Sequence, residues 1–452
     1  DLTANVFFKK TETNSSKYDL WLLFDKSDSY DITGERLKLI YLKISLEPPI
    51  TYNNGSFRET LSYSNATVNI ETDNYNIVTY IDINTDTANI NVSSQNNQEY
   101  TLQASVVTWR PENSFNISEN TGQSMCNDPN WVPIMKDNIM EHGCNNDNSS
   151  IMYYHRNYYP NAKYQTQFEY DLYQQGLQSI TNIPDPFLNL TWGGVLSIDA
   201  GQYSKNIQHT GSTLTITDVS IPTRAYFTFL TQQTKELSTW MDNLCDTHNN
   251  YKPDFASQET WWHQFWNRSW VMISATYPNE TDITHSVTTK YNAQRYLDAL
   301  DGRSKSNIPI KFNGQSFYID DGNGPDYKQW ASAFWWQNER QPYYNTHASG
   351  DNEFNVPFYN FYKNQLSLIQ QRNKIWFNIS GGFFCETTLF TGLVQEGQYG
   401  SLCSDEYNQY GIIRWLRYHW VGGLELVNLL LDDYYYNLND TIITEYAIPI
   451  AN

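Results

Sequence analysis

Charge is scarce in this chain. Only 17% of its 452 residues are Asp, Glu, Lys or Arg, and the acids outnumber the bases 49 to 29. A formal charge of −20, with no cluster of Lys or Arg, excludes a nucleic-acid or anionic-membrane partner, because both need basic patches. Long apolar runs are missing as well. None approaches the roughly 18 residues needed to span a bilayer. Cysteine is limited to five residues, and none has zinc-ligand spacing. No acidic loop carries a calcium-ligand pattern, so neither a metal nor any other cofactor is expected. The chain opens on Asp1 with no secretory leader, as expected of a mature or partial polypeptide.

Aromatic residues are abundant, at 16% with 35 tyrosines. That load excludes disorder and supplies large cores. The length predicts two or three domains.

Two cysteine pairs flank polar loops of equal length, Cys126 with Cys144 and Cys385 with Cys403. They read as local disulfides, each stabilising by roughly 3 kcal/mol on the loop-entropy model. Cys245 is left over, as a buried thiol or a link to another chain. Asn-x-Ser/Thr sequons occur at Asn14, Asn54, Asn65, Asn91, Asn116, Asn148, Asn189, Asn279, Asn378 and Asn439. Most lie in polar, turn-like sequence that would accept N-linked glycans. A further sequon, Asn267, falls inside a tryptophan-rich motif and is expected to stay bare if that motif is buried. Disulfides and sequons together place the protein outside the cell or on its surface, with the lysosome as the other oxidising destination.

Residues 1–225 read as a β-sandwich domain. Ile40, Leu42, Ile44 and Leu46 alternate with Tyr41, Lys43 and Ser45, the period of a half-buried strand. Similar pairs recur at Val68/Ile70, Ile81/Ile83, Ile90/Val92 and Leu214/Ile216, separated by Asn- and Gly-rich turns. A helical linker is expected over 226–255, with its helix from Gln232 to His248. Residues 256–452 then read as helical. Ala293, Tyr296, Leu297 and Leu300 share one helix face, with Gly302 placed to end it. Further helices are predicted at Tyr327–His347, Phe354–Trp376, Glu406–Tyr418 and Leu424–Tyr436. Within this half, Trp261-Trp262-His263-Gln264-Phe265-Trp266 and Trp335-Trp336-Gln337-Asn338 set rings among single polar groups. That mixture suits a sugar.

The sequence resembles the six-hairpin, (α/α)6-barrel glycosidases, in particular relatives of glycoside hydrolase family 95 that include secreted bacterial proteins. The resemblance is carried by Ser27-Asp28-Ser29-Tyr30-Asp31, Arg36-Leu37-Lys38-Leu39, Trp109-Arg110, Tyr154-His155-Arg156-Asn157 and Thr191-Trp192-Gly193-Gly194. In the second half it runs through the tryptophan stretch, Phe384-Cys385-Glu386-Thr387 and Gly422-Gly423-Leu424-Glu425-Leu426. It implies an antiparallel β-super-sandwich, a helical linker and an incomplete (α/α)6 toroid. A twelve-helix barrel needs roughly 300 residues or more. About 200 follow the linker, so the remainder is expected in the same gene product, and a native mass near 53 kDa before glycans would contradict that.

The resemblance further implies an inverting, exo-acting glycoside hydrolase. Such chemistry needs an acid and a base about 6.5–9.5 Å apart. Glu386 is the first candidate for the acid, at an expected loop-to-helix junction, where capping the helix is the bland alternative. Glu425 is the second, with Asp432 two turns later as its rival. Asn338 and Asn313 are candidates to bind hydroxyls or orient a water. Asn338 matches one of two family asparagines, whereas Trp336 stands where the other would be. That departure supports the alternative of a non-catalytic, carbohydrate-binding or structural glycoprotein. The base is expected in the remaining half. Trp335 and Trp336 are candidates to stack on a sugar; His263 and Arg268 would bind one or lock the barrel floor. Asp351 is expected to cap a helix, and His347 to be structural or exposed. Homo-oligomers are compatible with all of this.

Overall fold

The computed structural model describes residues 2–13, 15–52, 57–113, 133–144, 149–159, 163–274, 281–303, 305–311, 324–327, 333–394 and 421–452. Strands fill the first half. β1 (Leu2–Lys10), β2 (Lys17–Lys26), β3 (Tyr41–Glu47), β4 (Ile50–Thr51) and β5 (Arg58–Ser62) come first. β6 (Thr67–Glu71), β7 (Tyr75–Ile81), β8 (Thr87–Ser94) and β9 (Tyr100–Val107) follow at short intervals. β10 (Asp137–Met140), β11 (Ser150–Arg156), helix α1 (Gln167–Gln174), β12 (Leu190–Asp199), β13 (Gln208–Thr210), β14 (Thr213–Val219) and β15 (Thr223–Gln233) complete the region.

They form two antiparallel sheets. A 7-stranded sheet runs β1-β2-β3-β9-β14-β13, with β4 on β2, and an 8-stranded sheet runs β10-β11-β12-β15-β8-β7-β6-β5. The alternating residues face inward as their period requires: Leu42, Ile44 and Leu46 from one sheet meet Ile70, Ile77, Ile90 and Val92 from the other in one core. Ile83 departs from the pattern. It lies beyond the end of β7, where its amide donates to Gln258 Oε1 at 3.0 Å. Gly193 and Gly194 let β12 sit tightly between its neighbours. A Cβ on Gly193 would lie 2.1 Å from the Tyr153 carbonyl oxygen, and one on Gly194 would lie 2.5 Å from that of Thr228.

The predicted domain edge at residue 225 falls inside β15, which continues to Gln233 as a central strand. The predicted linker helix starts later, as α2 (Leu237–Asn249), because Gln232 and Gln233 are still held in register against Thr191 and Leu190 of β12. Its Trp240 and Leu244 pack on Met152 and Val195 of the sheet. A disulfide joins Cys144 to Cys245 of α2. This corrects the local Cys126–Cys144 pair: folding carries α2 back over the sheet, next to a cysteine about a hundred residues earlier. Cys126 and Cys403 lie outside the described residues, so the pair expected for the buried Cys385 does too.

The second half is helical. α3 (Phe255–Arg268) and α4 (Thr281–Gly302) lead to a short strand β16 (Phe334–Trp335), then α5 (Trp336–Glu339), α6 (Tyr343–Ser349) and α7 (Asn355–Phe377). Strand β17 (Thr387–Thr388) pairs with β16, and α8 (Gly422–Asn437), a π-helical segment (Ile442–Ala447) and α9 (Ile448–Ala451) follow. The single helix predicted over Tyr327–His347 is thus a strand and two short helices. Pro342 helps break it, since a proline offers no N–H to a preceding turn. Gly302 ends α4 as expected, for a different reason: a Cβ there would lie 2.7 Å from Phe354 Cγ. The helix predicted at Glu406–Tyr418 is outside the described residues.

The halves are bolted together. Gln258 of α3 donates to the Asn65 carbonyl at 3.0 Å, and Trp266 Nε1 donates to that of Tyr63 at 2.6 Å. Asp326 accepts from Trp109 Nε1, from Arg110 and from the Lys38 amide.

Candidate functional site

The tryptophan motif serves this joint. Trp262 and Phe265 are buried against Tyr296 and Phe354, while Trp261 and Trp266 are half-buried around them. His263 and Asn267 are exposed on the opposite face of α3. Burial of the motif therefore does not protect the Asn267 sequon. Arg268 is committed to Asp351 at 2.9 Å and Glu353 at 2.8 Å, which makes it a lock. Asp351 itself makes no cap hydrogen bond. It accepts a bidentate pair from Arg295 at 2.7 and 2.8 Å and a bond from Ser349, so its structural role is that of a buried ion-pair hub. His347 is buried, with Nε2 at 3.2 Å from the Tyr359 hydroxyl.

Two of the carboxylates named from sequence, Glu386 and Glu425, lie beside the start of α5. β16 turns directly into α5, which leaves the Trp336 indole pointing into the core, 1% exposed, against Phe358 and Tyr362. β17 lies alongside, and Glu386 immediately before it accepts the Trp336 amide on its carbonyl at 2.7 Å. Its Oε1 accepts the Gln337 amide at 3.0 Å, in the first turn of α5. Glu386 is thus 3% exposed and precedes a strand, where a helix had been expected. From the other side, Glu425 in the first turn of α8 accepts from Trp336 Nε1 and pairs with Arg340. The Glu425 side chain is 40% exposed. A buried carboxylate on the Gln337 amide and a solvent-accessible one on the Trp336 indole are therefore held at the start of α5.

The remaining candidates separate. Asp432 is exposed on α8, and its neighbour Asp433 is the buried carboxylate, accepting from Tyr359 at 2.8 Å, from Asn355 at 3.3 Å and from Asn437. Asn338 is exposed on α5, and its amide makes no hydrogen bond among the described residues. Trp335 is half-buried. Asn313 lies outside the described residues. So do the sequons at Asn14, Asn54, Asn116, Asn148 and Asn279. Asn378 and Asn439 are exposed, whereas Asn65, Asn91 and Asn189 are half-buried. The Asn189 amide oxygen accepts from Arg156.

Sequence reasoning missed the groups behind Trp336. Glu339 is fully buried on α5, among Tyr30, Tyr343, Tyr362 and Lys311, all of which feel its charge. Burial pushes the Lys311 amine down to about 8, against the opposing pull of Glu339 and Glu35. Burial also raises the Tyr362 phenol, helped by Glu339 and Glu386. The hairpin from Tyr30 to Arg36, closed by a bridge between those two residues, brings the sandwich into the same region. Tyr30 stacks on Phe390 at 4.5 Å, and its carbonyl accepts from Asn157 and Trp192. Burial pushes Asp31, in that hairpin, up to about 7. The clue available in sequence was position: Glu339 and Arg340 follow Asn338 directly.

A two-sheet β domain thus joins a helical domain in which Glu386 and Glu425 are held on adjacent residues, Gln337 and Trp336. The chain belongs to the family described as "Domain of unknown function (DUF5703)", whose N-terminal model matches residues 6–271. No curated protein matches it. Among solved structures it is similar to a protein from the human microbiome provisionally named a kojibiose phosphorylase. That match has a TM-score of 0.51 and 10% identity, covering 99% of this chain and 52% of the other. At that identity the likeness is one of fold, and this chain spans about half the neighbour's length.

Proposed function

We propose that this chain is the sandwich and leading barrel portion of a secreted glycoside hydrolase, inverting and exo-acting on a polysaccharide or glycan side chain. The observation that carries the reading is that the Glu386 carboxylate, on the Gln337 amide, and the Glu425 carboxylate, on the Trp336 indole, are held by neighbouring residues of α5. Glu386, 3% exposed, is the candidate to donate a proton to the leaving oxygen. As the glycosidic C–O bond breaks, that proton passes to the departing oxygen. A water, deprotonated by a base on the opposite face of the ring, delivers hydroxide to the anomeric carbon. Glu425 is the alternative acid, open to solvent at the edge of the cluster. The exposed Asn338 amide is available to a sugar hydroxyl.

The base and the rest of the (α/α)6 toroid would come from further helices of the same gene product. Supporting this, a cleft of about 570 Å³ between α7, α8 and α9 is lined by Phe377, Ile379, Phe383, Leu424, Val427 and Ile450. Apolar residues in such numbers call for a cover. The Cys144–Cys245 disulfide supports an oxidising compartment, outside the cell, on its surface or in the lysosome. Asn378 and Asn439 are the best placed sequons for a glycan.

A second reading has its own support. Arg340 neutralises Glu425, and Glu386 braces the β16–β17 pair, so both carboxylates hold the fold together. A non-catalytic, carbohydrate-binding or structural surface glycoprotein would keep both. The experiment is sugar release by the full-length gene product from a panel of glycosides and polysaccharides, with and without phosphate. Free sugar from the wild type and none from Glu386→Gln supports the hydrolase. Phosphate-dependent release of sugar phosphate would replace hydrolysis by phosphorolysis. Binding without release from any substrate favours the second reading.

A further inference from the structure

A smaller cleft lies on the seam between the sandwich and the helices and shares no residue with the Trp336 cluster. Its volume is about 130 Å³, many times the roughly 10–15 Å³ that a single water needs. One wall is sandwich: Thr3 of β1, with Tyr80, Asp82 and Asp86 from the β7–β8 region. The other is helical, with Trp262 of α3, then Arg303 and Lys305 just beyond α4.

The polar groups around it are unevenly satisfied. Asp82 is occupied by the amides of Asn84 and Thr85 and by the Tyr251 hydroxyl. Asp86 pairs with Lys26 at 3.2 Å. The acceptors on this wall are therefore committed. Three donors are not. Arg303 lies over the Trp261 ring, its guanidinium carbon 4.1 Å from the centroid, and makes no hydrogen bond or ion pair among the described residues. The Thr3 hydroxyl and the Trp262 indole N–H, both more than nine-tenths buried, have no hydrogen-bond partner there either. Lys305 adds a second cation, donating to the Asn84 carbonyl at 3.2 Å. Burial lowers the Arg303 guanidinium from its ordinary pKa, against a weaker opposing pull from Glu353, and a second anion in direct contact would offset that cost.

We propose that this cleft binds an oxygen-rich anion of about one sugar ring, a uronate, whose carboxylate is gripped by Arg303 and whose hydroxyls face Thr3 and the aromatic wall. A stacked guanidinium keeps its planar fork of donors for bidentate contact with a carboxylate, which a solvated lysine does not supply. Tyr80 and Tyr296 give the ring apolar surface. The site is independent of the catalytic reading and would serve a non-catalytic protein equally.

The test is titration of the full-length protein with sodium glucuronate and, in parallel, glucose, by calorimetry or ligand-observed NMR. Saturable glucuronate binding is expected, with glucose weaker. Arg303→Met should lose at least about tenfold in affinity, Arg303→Lys should retain part of it, and Glu386→Gln should bind as wild type does. Thermal unfolding checks that each variant folds, and Lys305→Met, on the same wall and exposed, gives a second variant with an expected smaller loss. No saturable glucuronate binding, equal binding by glucose, or equal binding by a folded Arg303→Met would overturn the proposal. Loss of sugar release with glucuronate binding intact would sink the hydrolase reading alone.

Discussion

Breaking the Cys144–Cys245 bond should loosen the sandwich while leaving the helical half in place. The bond closes a loop of sequence separation 101, for which the chain-entropy model gives about 4–5 kcal/mol. Trp240 and Leu244 remain buried on Met152 and Val195 without it, so α2 should stay docked. The loss is then mainly an unfolded-state effect. For a domain of 150–250 residues each kcal/mol corresponds to about 2–4 °C, which places the shift at roughly 8–20 °C. The assay is scanning calorimetry of Cys144→Ser, Cys245→Ser and the double variant, with peptide mapping of the unreduced wild type. The two single variants should match the double one. A peptide joining Cys126 to Cys144, or an unchanged sandwich transition in the double variant, would refute the reasoning.

Other consequences follow from buried charge. Asp31 titrates near 7 in the fold against an ordinary 3.8, so the folded state holds its proton more tightly than the unfolded chain. Its contribution to stability is fully present below about 4 and lost as pH rises through 7, at most about 4 kcal/mol; Asp31→Asn should flatten urea-denaturation stability across that window, and an unchanged slope would refute the assignment. Asp351→Asn strips the carboxylate from the buried Arg295 and should cost about 3–5 kcal/mol, with Arg295→Met/Asp351→Leu recovering part of it in the same assay. On α8, Asp433→Asn should destabilise by about 1–3 kcal/mol because it disturbs three buried donors, while Asp432→Asn should stay within about 0.5 kcal/mol; a reversed order would contradict the placement of that helix face.

The sheets were legible because a strand with one wet face writes its period into the chain, as Ile40 to Leu46 do. The helices α4, α7 and α8 were legible for the same reason at a different period. β16 is only two residues long, too short to write a period of its own, and so the aromatic stretch from Tyr327 to His347 gave no sign that it interrupts. Long-range partners left no local trace: nothing near Cys144 points to Cys245, and nothing near Trp336 points to Glu425. Of the candidate carboxylates, Glu386 and Glu425 were found through motif resemblance, which identifies residues without showing what they touch. Asp432 is exposed, and the burial of its neighbour Asp433 carries no signal of its own until the helix face is fixed. Glu339 and Lys311 escaped because a charged residue in sequence reads as surface, and only the fold reveals it as enclosed.

The most direct test of the central claim is the rate of sugar release by the full-length protein and its Glu386→Gln variant on the best substrate of a glycoside panel. Loss of the proton donor should lower the rate about 10²–10⁴-fold, with the variant still folded and still binding substrate. A folded Glu386→Gln that releases sugar at the wild-type rate would contradict the account.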